Sequence, residues 1–551
     1  MKLIWKHGES ERKLDEARQW IGRENALTIR AVVEAADGRA ERMAALVSQW
    51  SPGPRWGEFA AFDAAGTDGI PSIGYFGAVF DGRYIYFSPE QRTLEKMHAD
   101  VLRYDTHGDF KNPASYSAYD ASLTSGLETR GYYGAAFDGR YVYFVPRQLD
   151  MLEYHTHVLR YDTRMEFKDS AAWKAHDAGE KHSSQGCAFD GRYLYFCPGF
   201  SGNPDLEDTH SAQVLRLDTQ GNFEDPASYR SVDLSRFLSK GAACFDGGAF
   251  DGRYIYFVPI ETTVVARYDT QMDLNDRAAW REFDAGTVGL GVSVGMVFDG
   301  HYLYCCAYAH GTIVRFDTRR EFTDSKSWQS YRANETDGLQ TVGFDGGFFD
   351  GRYVYFVPFV APREGGGYTF HANFLRYDPQ GDFLDSKNWS ARDASQADGM
   401  RTTGYNAGAF DGRYFYAAPW QQGRAADGSL MVHAKVLRYD TLGNHGSFSL
   451  RYCDYGHNGG LCAAVMGPGF VVNTDRGARG VWAYRALPPG RHELVGRYDG
   501  REITLHIDGR LAGRREADGK LLKTEAPIVI GRIDQGLGRF EGEILEIELE
   551  G

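Results

Sequence analysis

The sequence predicts an all-β protein in which seven copies of one unit are arranged as a ring. Three observations carry this expectation. A segment close to AFDGRYVYFVP occurs seven times, with turn aspartates at Asp81, Asp138, Asp190, Asp251, Asp299, Asp350 and Asp411, spaced 48–61 residues apart. A recurring period of this size marks a repeat architecture. The composition, 14% aromatic with 66 Gly, 34 Tyr and 34 Phe in 551 residues, is the one that strands and tight turns require. Finally, the seventh copy stops at Thr441 one strand short, and a match for the missing strand stands upstream of the first copy: RWGEFAAFDAAG at 55–66 resembles AAWREFDAGT at 278–287.

Each unit carries four strand-sized segments. In the second copy they are GYYGAAFD (131–138), RYVYFVP (140–146), HTHVLRYDT (155–163) and AAWKAHDA (171–178). The Asp-Gly pair between the first two predicts a tight hairpin, because both residues tolerate positive φ. Four antiparallel strands per unit, repeated radially, describe the blade of a β-propeller. The expected fold is therefore a seven-bladed β-propeller over 51–444, with 55–66 closing blade seven and removing an open edge. The alternating Tyr and Phe are expected to pack between blades, and the turn Arg to pair with the Asp of VLRYDT.

Residues 1–50 and 442–551 lie outside the repeats. The tail alternates strands and turns, and its run GRHELVGRYDGREITLHIDGRLAG resembles the laminin-G-like, concanavalin A-like jelly roll, with Tyr498–Gly500 and Asp508–Gly509 at the family's YDG and DG positions. Arg491-His492 departs from the family's usual aromatic before His. The head, 24–50, resembles the opening strands of the same fold, and SFSLRYCD the next strand. The resemblance implies a propeller inserted into a β-sandwich assembled from 1–50 and 445–551. The crossings SPGP (51–54) and LGNHG (442–446) would then run side by side, the arrangement that makes domain insertion tolerable. Residues 9–22 read equally as a short helix or a strand.

A net charge of −14 without any long Lys/Arg run leaves no basic face for a phosphate backbone, so nucleic acid is not an expected partner. No stretch reaches ~18 consecutive apolar residues, so no membrane span is expected. The opening MKLIWKHGESERKLDEARQW turns charged where a secretory segment needs an apolar run. That makes the expected location cytoplasmic, with secretion open had a leader been removed. Seven cysteines without CxxC spacing read as buried thiols, not a disulfide framework or zinc site.

Positions where the copies disagree are the candidates for function. Just before the small residues Gly77, Gly134, Gly186, Gly247, Gly295, Gly346 and Ala407 stand Phe76, Tyr133, Gln185, Asp246, Val294, Asp345 and Asn406, whose shared register aims them at the channel mouth. Tyr133, Gln185, Asp246, Asp345 and Asn406 form a hard-oxygen set for sugar hydroxyls; Asp246 and Asp345 are the candidate ligands for a divalent cation such as calcium. A second register holds His98, His155, His310, His371 and His433, which are candidate metal ligands, although five in-register copies more often mean a repeated structural hydrogen bond. His210 stands one place out of step there, and the fourth copy has Thr262. The leading functional expectation is carbohydrate or glycoconjugate recognition, lectin-like, on the loop face of the propeller and on the sandwich. A polysaccharide lyase or glycoside hydrolase at the channel mouth is the alternative, with His155, Tyr133, His182, Arg130 and Arg401 as candidate catalytic groups; a protein-interaction scaffold is the third.

Overall fold

The computed structural model describes residues 2–14, 16–17, 26–35, 44–50, 55–201, 209–441, 446–453, 461–464, 467–485, 487–532, 540 and 542–551. The crossings at 51–54 and 442–445 lie outside them, as do 18–22 of the segment with two readings; Glu11–Leu14 of that segment forms a short 3-10 turn.

The protein is all-β and propeller-like. Seven sheets each contain four antiparallel strands, and in six of them all four come from one repeat, in sequence order from the axis outward. The seventh is Tyr405–Phe410, Tyr414–Pro419, Lys435–Asp440 and then Phe59–Asp63, which pairs Phe59 with Tyr439 and Asp63 with Lys435. The innermost strands touch one another in order around the ring, and Tyr405–Phe410 returns to Tyr75–Phe80.

The repeated residues make the joints. In each turn the Asp side chain does the holding: Asp81 Oδ1 accepts the Arg83 and Tyr84 amides (both 2.7 Å), and Oδ2 accepts the Tyr86 hydroxyl (3.0 Å). Only the glycine of the pair takes positive φ, +96° at Gly82; Asp81 stands opposite Tyr84, its amide donating to the Tyr84 carbonyl (3.1 Å), so Gly82 and Arg83 make the connection and Asp caps it with its carboxylate instead of sharing the positive φ that Asp-Gly predicts. The turn Arg pairs with the third-strand Asp of its own sheet, as in Arg83–Asp105 (2.7 Å) and Arg140–Asp162 (2.6 Å). The third-strand Arg links sheets. Arg103 lies over Tyr84 of its own sheet and Phe167 of the next (both 4.2 Å), and Arg438 over Tyr414 (4.5 Å) and Phe110 of the first sheet (4.4 Å). Cation–π contacts of this kind carry about 0.5–2 kcal/mol each and here connect the last sheet to the first.

Both ends of the chain contribute to a separate two-sheet body. One sheet runs Lys2–Lys6, Gly542–Glu550, Leu27–Ala35, Gly490–Tyr498, Glu502–Ile507, Arg510–Glu516; the other Gly477–Trp482, Gly469–Thr474, Gly446–Cys453, Ala44–Trp50, Val529–Ile530. Ile29, Leu46, Phe448, Phe470, Leu494 and Ile547 bury a common core between them. From this half of the chain, Leu461–Ala464 reaches into the ring. Ala463 and Ala464 pair in parallel with Ala136 and Phe137, the Leu461 carbonyl accepts the Cys187 amide (3.2 Å), and Cys462 Sγ lies 3.2 Å from the Ala135 amide. At Gly134, with φ +92°, a Cβ would come within 2.4 Å of the Leu461 carbonyl. The axis is therefore filled at the end nearer the Asp-Gly-Arg turns. No helix among the described residues is long and apolar enough to cross a membrane.

Candidate functional site

At the opposite end of the innermost strands the pairing breaks in the same way in every sheet. The register shifts between Tyr75 and Ala78, Tyr132 and Ala135, Ser184 and Cys187, Phe245 and Gly248, Ser293 and Met296, Phe344 and Gly347, and Tyr405 and Gly408. Each shift is a bulge holding one of the divergent residues and the small residue after it. Bulges bend a strand and re-aim a side chain. The small residue is thus needed for its left-handed backbone, φ +75° to +92° at the six glycines and +45° at Ala407, as well as for space at the axis.

The re-aimed side chains meet. Phe76, Tyr133, Gln185, Asp246, Val294 and Asp345 line a cavity of about 210 Å³, and Asn406 Nδ2 donates to Asp345 Oδ2 (2.9 Å). Tyr133 Oη and Gln185 Nε2 both donate to Asp246 Oδ2 (3.1 and 3.0 Å). The other oxygens, Asp246 Oδ1, Asp345 Oδ1 and Asn406 Oδ1, are buried without a hydrogen-bond donor among the described residues. Burial pushes the Asp246 carboxyl up to about 7, against the pull of Arg147. Asp345 is raised by burial and then by the charge of Asp246. The same burial, with both carboxylates, raises the Tyr133 phenol.

Several cavity residues were not among the expected ones. Glu90, Arg147, Ile260, Tyr308 and Trp420 also line it. Each follows the end of a second strand, after Pro89, Pro146, Pro259, Ala307 and Pro419. The signal was present: this position reads Glu, Arg, Gly, Ile, Tyr, Phe, Trp around the ring, as divergent as the first-strand set. Arg147 Nη1 donates to Glu90 Oε1 (2.9 Å) and its guanidinium lies over Tyr133 (4.9 Å) and Phe76 (5.3 Å). Glu90 Oε2 has no donor among the described residues, and burial lifts this carboxyl to about 7. The floor thus sets three buried carboxyls against one guanidinium, while Trp420 packs edge-on to Phe76 (4.2 Å) as part of an aromatic wall. Unpartnered acceptors in a desolvated site cost free energy that a donor-rich ligand or a cation recovers. Asp246, Asp345 and Asn406 offer the hard oxygens that a cation such as calcium takes.

The histidine register does something else. In all five copies Nδ1 accepts the amide two residues on and Nε2 lies against a carbonyl: His98 with Asp100 (3.1 Å) and Gly74 (3.0 Å), His155 with His157 (3.0 Å) and Arg130 (2.9 Å), His310 with Thr312 (3.2 Å) and Val292 (2.8 Å), His371 with Asn373 (3.2 Å) and Val342 (2.8 Å), His433 with Lys435 (3.2 Å) and Gly404 (3.2 Å). A ring whose Nδ1 accepts must carry its proton on Nε2, so each is a neutral tautomer with both nitrogens engaged. Burial drives His98 down to about 4, and His155 and His433 to about 3. Of the two readings of this register, metal ligand or base against repeated structural hydrogen bond, the contacts match the second. His182 is buried with Nδ1 on the Ser183 carbonyl (3.2 Å), Arg130 pairs with Glu128 (3.1 Å), and Arg401 donates to the Gln422 carbonyl (3.0 Å). None of the three lines the cavity, so of the candidate catalytic set Tyr133 alone stands there.

No protein family matches the sequence, and no curated protein does. Among solved structures, the chain is similar to a streptogramin B lyase (12% identity, TM-score 0.39, 69% of this chain and 97% of that one). It is also similar to a periplasmic gluconolactonase of Pseudomonas aeruginosa (16%, 0.39, 67% and 99%) and to a 6-phosphogluconolactonase described from Bacteroides uniformis (13%, 0.35, 76% and 100%).

Proposed function

We propose that the seven sheets are the blades of one seven-bladed propeller, 51–444, inserted into a laminin-G-like sandwich of 1–50 and 445–551, and that the cavity at its open mouth recognises a carbohydrate unit. The pairing of Phe59–Asp63 with the seventh sheet and the two-sheet body drawn from both chain ends support the architecture. An experimental structure with an eighth sheet in the ring, or with separate cores for head and tail, would overturn it.

The observation that carries the ligand reading is the set of four buried acceptor oxygens on Glu90, Asp246, Asp345 and Asn406 beneath an aromatic wall. Sugar hydroxyls donate to such oxygens while the C–H face of the ring rests on Phe76 and Trp420. At about 210 Å³ the cavity is smaller than the roughly 300–1,000 Å³ of sites for drug-sized ligands, so it takes one terminal unit and not a stretch of polymer. Calorimetry against a panel of monosaccharides and oligosaccharides, with and without calcium, tests this. Binding is expected for the wild type, with Asp246→Asn and Asp345→Asn each weakening it at least tenfold, about 1.4 kcal/mol. Silence across the panel, or unchanged affinity in both variants, would reject the proposal.

A hydrolytic reading of the same cavity draws on one observation, that Asp246 and Glu90 hold their protons up to about 7, where a general acid works best. Turnover of aryl glycosides lost in Asp246→Asn would favour it over recognition alone.

A further inference from the structure

At the junction of the third and fourth sheets, three positions depart from the repeat together, and they converge. In five copies the loop before the third strand carries a histidine bonded to backbone; here that register holds Ser211, whose Oγ accepts the Gln213 amide (3.2 Å) in place of an imidazole Nδ1. His210, one residue earlier, turns instead to Glu261, with Nε2 to Oε2 at 2.8 Å. Two residues before the cavity residue, four other sheets have glycine in the left-handed region: Gly74, Gly131, Gly343 and Gly404, with φ of +66° to +78°. The fourth sheet has Cys244 there, at φ +55°, although a side chain in that conformation costs about 1–2 kcal/mol. Two residues beyond the second-strand end stand Gln91, Gln148 and Gln421 in three sheets and Glu261 here.

The backbone ties these three together. The Cys244 amide donates to the Ser211 carbonyl (3.0 Å) and its carbonyl accepts the Ile260 amide (2.9 Å), so Cys244 is pinned between the segments carrying His210 and Glu261. The ligating atoms of His210, Cys244 and Glu261 all lie within 4.8 Å of one another. A strained residue that the surrounding repeat would replace by glycine points to function at that position.

We infer that His210, Cys244 and Glu261 form a binding site for one Zn²⁺ ion. Imidazole nitrogen, thiolate sulfur and carboxylate oxygen are the donors that zinc takes, at about 2.0–2.3 Å, and three protein ligands leave a fourth position for water or a substrate group. Modest side-chain rotation closes the present spacing to the ~3.5 Å edges of such a tetrahedron. The Cys244 thiol proton passes to solvent as the ion enters, and the His210 proton moves from Nε2 to Nδ1 so that a neutral imidazole ligates, so affinity falls with acidity. The site adjoins the central cavity: Phe200, which contacts the His210 ring (6.4 Å), and Ile260, next to Glu261, both line it. Cysteine spacing along the chain could not reveal this site, because its ligands come from three separate segments.

The test uses the full-length, metal-stripped protein and two probes, Zn²⁺ alone and Co²⁺ alone. Expected are one Zn²⁺ per chain, a rise in melting temperature on adding it, and a thiolate-to-cobalt charge-transfer band with Co²⁺. Cys244→Gly removes the thiol and relieves the left-handed strain, which offsets the lost side-chain burial, so it should still fold while losing both the band and the zinc-dependent rise. Glu261→Gln, which restores the residue of three other sheets, should weaken Zn²⁺ by at least about tenfold. Absence of stoichiometric zinc binding, a cobalt band that survives in Cys244→Gly, or unchanged affinity in Glu261→Gln would each overturn the assignment.

Discussion

Asp299 and Asp246 belong to neighbouring sheets, are 0% and 1% exposed, and sit at opposite ends of the innermost strands, yet their surroundings differ in kind. At the turn end, Asp299 is fully supplied: Oδ1 accepts the His301 and Tyr302 amides (2.7 and 2.6 Å) and Oδ2 accepts the Tyr304 hydroxyl (2.7 Å). At the mouth end, Asp246 has two donors on one oxygen and none on the other. The first arrangement is repeated seven times and is complete without a ligand. The second is shared at this end by Asp345 and Glu90, each with one oxygen bonded and the other without a donor among the described residues. The difference teaches how a repeat protein divides its polar groups: identical positions close the ring, and divergent ones at the open end are left with unmet valence.

Substitution should separate the two ends sharply. Asp299→Ala strands two amides and a buried hydroxyl, each worth about 1–3 kcal/mol, so a loss of about 3–5 kcal/mol is expected in denaturant unfolding. A loss under 1 kcal/mol would mean that the turn does not depend on its carboxylate. Asp246→Asn should not destabilise at neutral pH, and its effect should depend on pH. The folded carboxyl holds its proton up to about 7, whereas an unfolded Asp releases it near 4. The stability this contributes is fully present below about pH 4 and is lost as pH rises through 7, a change on the order of 3–4 kcal/mol. Wild type should therefore lose stability between pH 4 and 7, and Asp246→Asn should lose less, the remainder belonging to Glu90 and Asp345. Parallel pH–stability curves for the two proteins would break the comparison.

What the sequence made legible follows the same division. The sheets, their strand order and the closing partner Phe59–Asp63 were readable because repetition shows periodicity seven times over and exposes the one missing strand. The cavity set Tyr133, Gln185, Asp246, Asp345 and Asn406 was readable because divergence within a fixed register is itself a signal. The same logic reaches Glu90 and Arg147 only if applied at the second-strand ends, where the conserved Pro draws attention away from the residue after it. Leu461 and Cys462 belong to no repeat, and nothing local tells a strand that fills a channel from one in a sandwich. The histidine register carried two readings for a physical reason. Repetition of a chemically versatile side chain looks like a ligand set, but an imidazole that accepts one amide and donates to one carbonyl is a backbone staple.

The smallest expected effect concerns the bulge that connects the two ends. Ala407 holds φ +45° where the other six sheets have glycine, in the bulge from which Asn406 reaches Asp345. Ala407→Gly relieves about 1–2 kcal/mol of left-handed strain, but it loses about 0.8 kcal/mol of buried methyl and adds about 0.5–1 kcal/mol of unfolded-chain entropy. These terms nearly cancel, so a change within about 0.5 kcal/mol is expected in thermal melts, with the sugar affinity proposed above left unchanged because the bulge itself survives. Destabilisation beyond about 1.5 kcal/mol would show that the methyl, buried among the axis residues, matters more than backbone conformation. In that case close packing at the axis, and not the left-handed bulge, would be what makes this register small throughout the ring.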